Sequence, residues 1–581
     1  MNNRLLYTLL IALYTSISCQ NNKIKNNEIV ILEPSDPDML NPINYTEALS
    51  GYITNHLFQK LIDVDYKNPN LYVPVLADTL PISNKTSDHT MSITFHLRKG
   101  AKWDNETPVT IKDILFTLKV IKCPQVNNPF SKPYFESLKD IKLYDNDSLK
   151  FTILLDKIYF LAVSTFSDVP ILPEYLYDPQ KLLRKFSLKQ IAAGKEDVLK
   201  EESLQKFASD FNSEKRSRNP DCIGGSGAYK FVEWKSNECI VLERKKNWWG
   251  DAFKNENCFF DSYPDKLIYK TISDPSTALN SLKSGSVDVM RSIKSKDFTE
   301  LKQSSKFLKQ FNSFSPIKYS FIYVGINNKS PFFIDIFTRK AMAHLVDTKR
   351  IISTVKYGLA KQIIGPIHPS KTLDYDTTIS PYDFNPEEAR KLLALSGWKN
   401  TNGDETIDKI IGGKRIEFEV NLIYNTSNIE RQSVGLMIQE EAKKVGIKIN
   451  LIGTSNSVLS EKCKKHNFDL MVGGWVTGPA PDDFKQLFHS NSILLDGGNY
   501  CNYLNEEVDT ILDSIQIELD PTKRSILYKR FQKIIHEEVP MIFLWTPYEN
   551  LAINKTIINP IISTTSPGYW EQSFIIKRTE N

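Results

Sequence analysis

Apolar residues recur along the chain in two spacings, one typical of strands and one typical of helices. The apolar-rich runs 229–234 and 239–243 have the length of strands. The polar tetrapeptide 235–238 lies between them, so the pattern predicts a β-hairpin. Between residues 111 and 118 the apolar positions follow helical spacing instead, and Thr110 with Asp113 predicts a capping box at the start of that helix.

A basic run near residue 100 lies between a predicted strand and the helix that begins after Thr110. Residues 94–97 alternate as a strand does, and Lys99-Gly100 predicts the turn that ends it. The alternation places Arg98 and Lys102 toward solvent and Trp103 against the following helix. We therefore interpret this run as packing and not as a basic catalytic site.

Helix start and stop signals recur in the second half of the chain. Asp274 and Pro275 are an N-cap and a first helical residue, Gly285 ends that helix, and residues 287–290 follow as a strand. The same start signal recurs at Asn385-Pro386. Further predicted helices are 430–445, 505–519 and 521–537, and further predicted strands are 29–32, 447–452, 469–472 and 541–545. Helices and strands alternate throughout, so the predicted fold class is mixed α/β.

Length and composition exclude several classes of protein. The 581 residues predict about three or four structural units. Apolar residues make up 41% and charged residues 24%, which is typical of globular proteins. The 73 basic and 69 acidic residues are spread evenly, so the basic footprint of a nucleic-acid-binding protein is missing and nucleic acid is not an expected partner.

The N-terminus has the layout of a signal peptide. Arg4 precedes the apolar segment 5–14, which is too short to span a membrane, and the small residues 16–18 lead to Cys19. This order resembles a bacterial lipobox, in which the cysteine is lipidated and becomes the first residue of the mature protein. We expect 1–19 to be a lipoprotein signal peptide and 20–26 a tether. Ser16 replaces the usual Leu, so secretion without a lipid is the alternative.

No motif for catalysis or metal binding has the required spacing. The chain contains no CxxC, HxH or HExxH, and Ser226 lies in neither GxSxG nor a Walker motif. Residues 400–411 alternate oxygen side chains as a calcium loop does, but Glu405 and Ile411 replace the required Gly and Glu. We therefore predict no catalytic residue, no metal site and no cofactor. Six cysteines remain besides Cys19, and they allow 15 pairings, of which the sequence assigns none: Cys123, Cys222, Cys239, Cys258, Cys463 and Cys501.

An ordered series of short motifs covers nearly the whole mature chain. It comprises Leu40-Asn41-Pro42, residues 57–61, 95–103 with 107–110, 225–231, Trp249-Gly250, 274–277, 285–288, 339–341, Gly365-Pro366-Ile367 and Gly473-Gly474-Trp475. In this order and spacing the chain resembles solute-binding protein family 5, the large extracytoplasmic proteins that serve peptide, oligopeptide and nickel ABC transporters.

The resemblance implies a two-lobed periplasmic-binding-protein fold of type II with an additional inserted domain. Lobe one would comprise 27–65, 222–312 and 532–581. The inserted domain would be 66–221, and lobe two would be 313–531. The implied mechanism is a cleft that closes around a small polar ligand, and the chain is not expected to be an enzyme.

The stretch 473–484 is the most informative part of the predicted site. Its glycines allow a ligand to approach the backbone, and Trp475 offers a stacking face. Peptide-binding members of the family have an Asp three residues after this Trp, where this chain has Gly478. The Arg that holds the ligand carboxylate in dipeptide-binding relatives corresponds to Asn425. Asp482 or Asp483 and Arg431 are the hypothetical replacements.

The expected ligand contacts come from both lobes. The second lobe would contribute Gly474, Trp475, Thr477, Asp482, Tyr424, Asn425 and Tyr500, and the first lobe Ser35, Tyr45 and Thr46. The expected partners are an ABC permease, its ATPase subunits and a membrane reached through lipidated Cys19, in the periplasm or cell envelope. The predicted function is capture and delivery of a ligand, with a peptide expected. A surface-anchored sensing protein, or one for a non-peptide ligand, is the alternative.

Overall fold

The computed structural model describes residues 27–128, 131–494 and 497–577, so the predicted signal peptide, Cys19 and the tether lie outside the described residues. The described strands form two large mixed sheets and a smaller antiparallel sheet, each covered by helices and packed around apolar side chains. This architecture confirms the predicted mixed α/β class.

The first lobe is built on a sheet to which distant parts of the chain contribute. Glu28–Glu33 pairs in parallel with Lys266–Thr271 and with Val289–Met290. In spatial order its strands are Phe311–Phe314, Leu551–Asn554, Val289–Met290, Glu28–Glu33, Lys266–Thr271, Cys239–Arg244 and Tyr229–Lys235. The associated helices are Ala48–Leu57, Pro275–Ser284, Ser295–Leu301 and Ser305–Gln310.

The inserted domain has an antiparallel sheet and a set of short helices. In spatial order the strands are Ile82–Lys85, Met91–His96, Lys150–Leu155 and Leu138–Leu143. The helices are Ile111–Lys122, Glu174–Tyr177, Leu188–Ala193, Glu196–Leu199, Glu202–Phe211 and Lys215–Arg218. Two short ribbons stand apart from the sheets: Ile62–Val64 pairs with Tyr72–Pro74, and Ile557–Ile558 pairs with Ile575–Ile576.

The inserted domain and the first lobe share a core. Phe116, Phe207 and Phe211 belong to the same buried cluster as the first lobe's strands.

The second lobe is built on the other large sheet. In spatial order its strands are Ala360–Gln362, Met541–Pro547, Ser320–Ile326, Leu470–Val476, Glu419–Asn425 and Lys448–Thr454. Asp408–Ile411 and Lys414–Glu417 form a separate ribbon. The helices are Ile336–His344, Thr348–Val355, Pro386–Leu395, Ile429–Lys443, Asn456–Lys464, Lys485–Phe488, Glu506–Ile517 and Pro521–Glu538.

Two crossings connect the large sheets, and they lie side by side. The first follows Phe314 and the second follows Pro547. Between them Lys318 N donates to the Pro547 carbonyl at 2.9 Å and Glu549 N donates to the Pro316 carbonyl at 2.8 Å. The assignment of 532–547 to lobe one was wrong, because Met541–Pro547 pairs with Ser320–Ile326 inside the second sheet. The chain returns to the first lobe only after Pro547.

Local signals in the sequence explain where several elements begin and end. Asp274 caps its helix by accepting a hydrogen bond from Thr277 N at 2.8 Å, and Gly285 ends it at a φ of 75°. The hairpin around Asn237 is confirmed by the antiparallel pairing of its strands. The predicted strand 469–472 extends further, through Gly473-Gly474-Trp475, because the strand is Leu470–Val476.

The glycine-rich segment before the hairpin serves close packing. A Cβ atom at Gly225 would lie 2.6 Å from the Leu57 carbonyl oxygen, and one at Gly227 would lie 2.3 Å from the His56 carbonyl oxygen. Glycine is needed here because these carbonyls end the helix Ala48–Leu57 directly against the segment. The glycines therefore allow this segment to pack directly against the end of the helix.

Arg98 corrects one expectation from the basic run. Its side chain is buried, not directed to solvent, and it donates to both carboxylate oxygens of Glu256 at 2.9 and 2.6 Å. It also donates to the Val75 carbonyl at 2.9 Å and lies 4.4 Å from the centre of the Phe253 ring. Arg98 thereby attaches the inserted domain to the first lobe. Trp103 is buried, as expected.

The six cysteines within the described residues are unpaired. In the same part of the chain, no helix is long and apolar enough to cross a membrane.

Replacing Arg98 tests this attachment. Arg98→Ala removes a buried guanidinium with its packing and hydrogen bonds, so we expect it to lower the free energy of unfolding by about 2 kcal/mol. Lys102→Ala is the control, because Lys102 pairs with Glu106 in solvent and such pairs contribute about 0–1 kcal/mol. Urea denaturation midpoints measure both changes. Equal midpoints for the two variants would contradict the role of Arg98.

Candidate ligand-binding cleft

A large cleft lies between the two lobes and the inserted domain. Its volume is about 1150 Å³. The first lobe contributes Tyr45 and Tyr52, the inserted domain contributes Tyr134 and Tyr159, and the second lobe contributes Trp475. Because all three units supply its wall, a movement of one unit against another changes the shape of the cleft.

The end of the strand Leu470–Val476 presents two predicted site residues to the cleft. Trp475 is partly buried and packs against the second lobe's apolar cluster around Phe484. Thr477 is held by its backbone N, which donates to the Tyr319 carbonyl at 2.9 Å. The Thr477 hydroxyl is buried and has no hydrogen-bond partner among the described residues. Thr477 therefore brings an unsatisfied polar atom close to the surface of the cleft.

Asp482 also lines the cleft, but its carboxylate is already paired. Asp482 Oδ2 lies 2.7 Å from Lys371 Nζ, and both side chains are buried. Lys371 donates in addition to the Ala480 carbonyl at 2.6 Å, and the Tyr528 hydroxyl donates to the Asp482 carbonyl. Desolvation raises the pKa of Asp482, although the charge of Lys371 acts in the opposite direction. This ion pair holds the loop 478–484 in place.

Asp483 links the second lobe to the inserted domain. Its Oδ2 accepts hydrogen bonds from the Tyr159 hydroxyl at 3.2 Å and from Gln516 Nε2 at 2.8 Å, and its Oδ1 accepts one from Lys485 N at 3.1 Å. Next to this contact, Phe160 N donates to the Gln516 carbonyl at 2.9 Å. Asp483 is thus part of a contact between units.

A second group of charges lies where the first lobe meets the inserted domain. Lys60 Nζ lies 3.0 Å from Asp63 Oδ2, and both residues line the cleft. Asp168 lines it as well, and Lys60 is the cation that acts on the Asp168 carboxylate. Two carboxylates thus share one ammonium group.

The charges of the whole wall have a negative excess. Its described carboxylates are Asp63, Glu136, Asp168, Asp482 and Asp483, whereas its ammonium groups are Lys60, Lys157 and Lys485. This excess favours a ligand that carries a positive charge. Among the described residues, no group of three or more His, Cys, Asp or Glu side chains is arranged to hold a metal ion.

Of the ten predicted contact residues, Tyr45, Trp475, Thr477 and Asp482 line the cleft. The described wall does not include Ser35, Thr46, Tyr424, Asn425, Gly474 or Tyr500.

Local bonding and packing explain where those six residues lie. Thr46 donates to Asp38 Oδ2 at 2.7 Å, and Asn425 Oδ1 accepts from Ser427 N at 3.0 Å, so both side chains organise turns. Tyr424 is buried in the second lobe's core, and Tyr500 packs against another apolar cluster of that lobe. Gly474 and Ser35 are exposed outside the wall.

Gly478 occupies the position of the expected Asp anchor, and Arg431 is the hypothetical replacement for the Arg anchor. Gly478 lines the cleft, and a Cβ atom there would meet no atom within 4 Å, so the wall is open at this position. Arg431 lies behind the strand end, where its Nη2 would be 3.2 Å from a Cβ atom at Gly474.

Sequence reasoning missed the group formed by Lys60, Asp63 and Asp168. For Lys60 and Asp168 the sequence does contain a signal, which is a charged residue within an apolar segment. Lys60 follows the apolar pair Leu57-Phe58 and precedes Leu61, and Asp168 is the only charged residue between 159 and 172. A lone charged residue in an otherwise apolar segment is a signal that the charge has a partner or a ligand. What the sequence does not show is that these two segments meet at one wall.

The fold and the cleft define the class of protein: the chain is a two-lobed periplasmic-type binding protein of type II with an inserted domain. Residues 72–493 match the family model for bacterial extracellular solute-binding proteins, family 5, and the chain belongs to this family. The members of this family are solute-binding proteins and not enzymes.

Curated relatives cover most of the chain. It is 26% identical over 543 residues to the oligopeptide-binding protein AppA of Bacillus subtilis, covering 92% of this chain and 88% of that protein. It is 23% identical over 540 residues to heme-binding protein A of Haemophilus influenzae, covering 89% and 86%.

Solved structures share the fold over almost the full length. AppA from Bacillus subtilis in complex with a nonapeptide matches with a TM-score of 0.66 at 24% identity, covering 94% of this chain and 98% of that one. HbpA2 from Haemophilus parasuis matches with a TM-score of 0.74 at 19% identity, covering 95% and 100%.

Replacing Asp482 tests its structural role. Asp482→Asn leaves the Lys371 ammonium group buried without a carboxylate, so we expect the free energy of unfolding to fall by about 3 kcal/mol. The double variant Lys371→Met with Asp482→Leu removes both charges and should recover most of that loss, because two apolar groups replace the pair. Denaturant midpoints measure both. A double variant that is no more stable than the single one would contradict the account.

Proposed function

We propose that this protein is the substrate-binding lipoprotein of an ABC transporter, which captures a peptide in the cleft and delivers it to a membrane permease driven by an ATPase. It acts by binding and catalyses no reaction. In this proposal lipidated Cys19 holds the protein at a membrane in the periplasm or cell envelope, and residues 20–26 tether the lobes to the anchor.

The size and chemistry of the cleft carry the proposal. Its volume of about 1150 Å³ exceeds the range of about 300–1000 Å³ that small-molecule pockets usually have. The Tyr and Trp side chains in its wall offer faces for apolar and aromatic groups, and the unpaired Thr477 hydroxyl offers a bond to a backbone-like polar atom. A ligand with alternating polar and apolar groups along its length suits this wall.

Proteins related to this chain support the choice of ligand. AppA of Bacillus subtilis is named for oligopeptides, and its structure contains a nonapeptide. Heme-binding protein A of Haemophilus influenzae is named for heme. This relative supports the alternative, a ligand that is not a peptide. The negative excess of the wall suits the positive amino terminus of a peptide, whereas it repels a ligand that carries only negative charges.

Native mass spectrometry of the protein purified from its own source tests this function. We expect a series of bound masses that fragment into amino-acid residues, and a much smaller bound fraction in Trp475→Ala. Phe337→Ala is the matched control, since Phe337 is an exposed aromatic residue outside the described cleft wall. The mass of the protein itself reports whether Cys19 is the lipidated first residue. A single bound mass without amino-acid fragments would contradict the peptide, and an unmodified N-terminus would contradict the anchor.

A further inference from the structure

Most cleft carboxylates are already engaged by the protein. Asp482 is paired with Lys371 at 2.7 Å, and Asp483 accepts bonds from Tyr159 and Gln516. Asp63 is paired with Lys60 at 3.0 Å and also accepts a hydrogen bond from Val64 N at 2.8 Å. A ligand ammonium group that used one of these carboxylates would have to replace an internal partner, at a cost that offsets the new bond.

Asp168 is different. Its carboxylate accepts no hydrogen bond from any residue within 27–128, 131–494 and 497–577, although the side chain is accessible from the cleft. Lys60 acts on it electrostatically, but the direct ion pair of Lys60 is with Asp63. The oxygen atoms of Asp168 are therefore free to accept bonds from a ligand.

The surroundings of Asp168 also change the protonation equilibrium of its carboxyl group. The surrounding protein desolvates the carboxylate and raises its pKa, and the neighbouring Asp63 adds to the increase while Lys60 opposes it. Burial raises the pKa values of Tyr72 and Tyr134, and the negative charge of Asp168 contributes to both increases. The carboxyl group is therefore protonated more easily than a free one, and a ligand cation bound beside it stabilises its charged form.

The position of Asp168 is fixed by its neighbours in the chain. It follows the 3-10 helix Ser164–Ser167, and its backbone N donates to the Thr165 carbonyl at 3.3 Å. Phe166 and Val169 on either side are buried in the inserted domain's core. The carboxylate is therefore presented to the cleft by an ordered segment, and little conformational entropy is lost when a ligand binds it.

Glu136 is the remaining carboxylate of the described wall. It is exposed beside the 3-10 helix Lys132–Phe135. Lys122 Nζ lies 3.2 Å from its backbone carbonyl oxygen, which places a cation next to it. Asp168 is the better acceptor for a ligand cation because its neighbourhood contains the second carboxylate Asp63 and only the shared Lys60.

We propose that Asp168 receives the N-terminal ammonium group of the bound peptide, an assignment that rests on the function proposed above. The open wall at Gly478 and the internal pairing of Asp482 and Asp483 leave this role to the inserted domain. Ligands with a free amino terminus are then preferred over those whose amino terminus is blocked.

Calorimetric titration with one pool of pentapeptides, prepared with free and with acetylated amino termini, tests the assignment. We expect the wild-type protein to bind the free form about 10- to 100-fold more tightly, the range of one charge-assisted hydrogen bond. Asp168→Asn and Asp168→Ser should bind both forms equally. The preference is a ratio measured within one protein, so a general loss of affinity does not imitate the result.

Asp88→Asn is the matched control, because Asp88 is an exposed carboxylate of the same domain outside the described wall. It should keep the wild-type preference. A full preference for the free amino terminus in both Asp168 variants would overturn the assignment while leaving the proposed function intact. A wild-type protein that binds neither form would instead overturn the proposed function, and the assignment with it.

Discussion

The paired crossings between the lobes are the constraint on which the rest of the structure depends. The chain passes between the two large sheets after Phe314 and again after Pro547, and backbone hydrogen bonds join these two passages. Glu549 reinforces them, because its carboxylate lies 2.6 Å from Lys318 Nζ and accepts a bond from Ser292 N at 2.6 Å. Two adjacent connections of this kind restrict the lobes to hinge-like movement, and the cleft lies where such movement changes the separation of the walls.

Around this hinge, charged side chains serve two different purposes. Lys371 with Asp482, and Arg98 with Glu256, satisfy each other and fix a loop and a domain contact. Asp168 is left with an incomplete set of partners in the cleft wall. Buried or enclosed charges are costly unless they are paired, so an incompletely satisfied carboxylate in a cleft is the feature that a cationic ligand group would complete.

The sequence predicts the elements well where local chemistry determines them. The caps at Asp274 and Asn385 and the hairpin around Asn237 follow from backbone requirements that single residues reveal. The predictions fail where contact with a distant segment of the chain determines burial or strand pairing. Arg98 is buried because Glu256 lies opposite, and Met541–Pro547 joins the second sheet because Ser320–Ile326 offers it an edge. The cleft follows the same rule: Trp475 could be predicted from its motif, whereas the meeting of Lys60 with Asp168 depends on the packing of two units.

The central claim is that a ligand is held between lobes that close around it. Pulsed electron paramagnetic resonance with spin labels at Leu71→Cys and Leu373→Cys measures this directly, since both residues are exposed and flank the contact in which Asn70 Nδ2 donates to the Ser370 carbonyl at 3.1 Å. Protein carrying its natural ligand should show one short distance, and protein stripped of ligand by reversible denaturation should show an additional, longer distance. Identical distance distributions in the two samples would contradict the account.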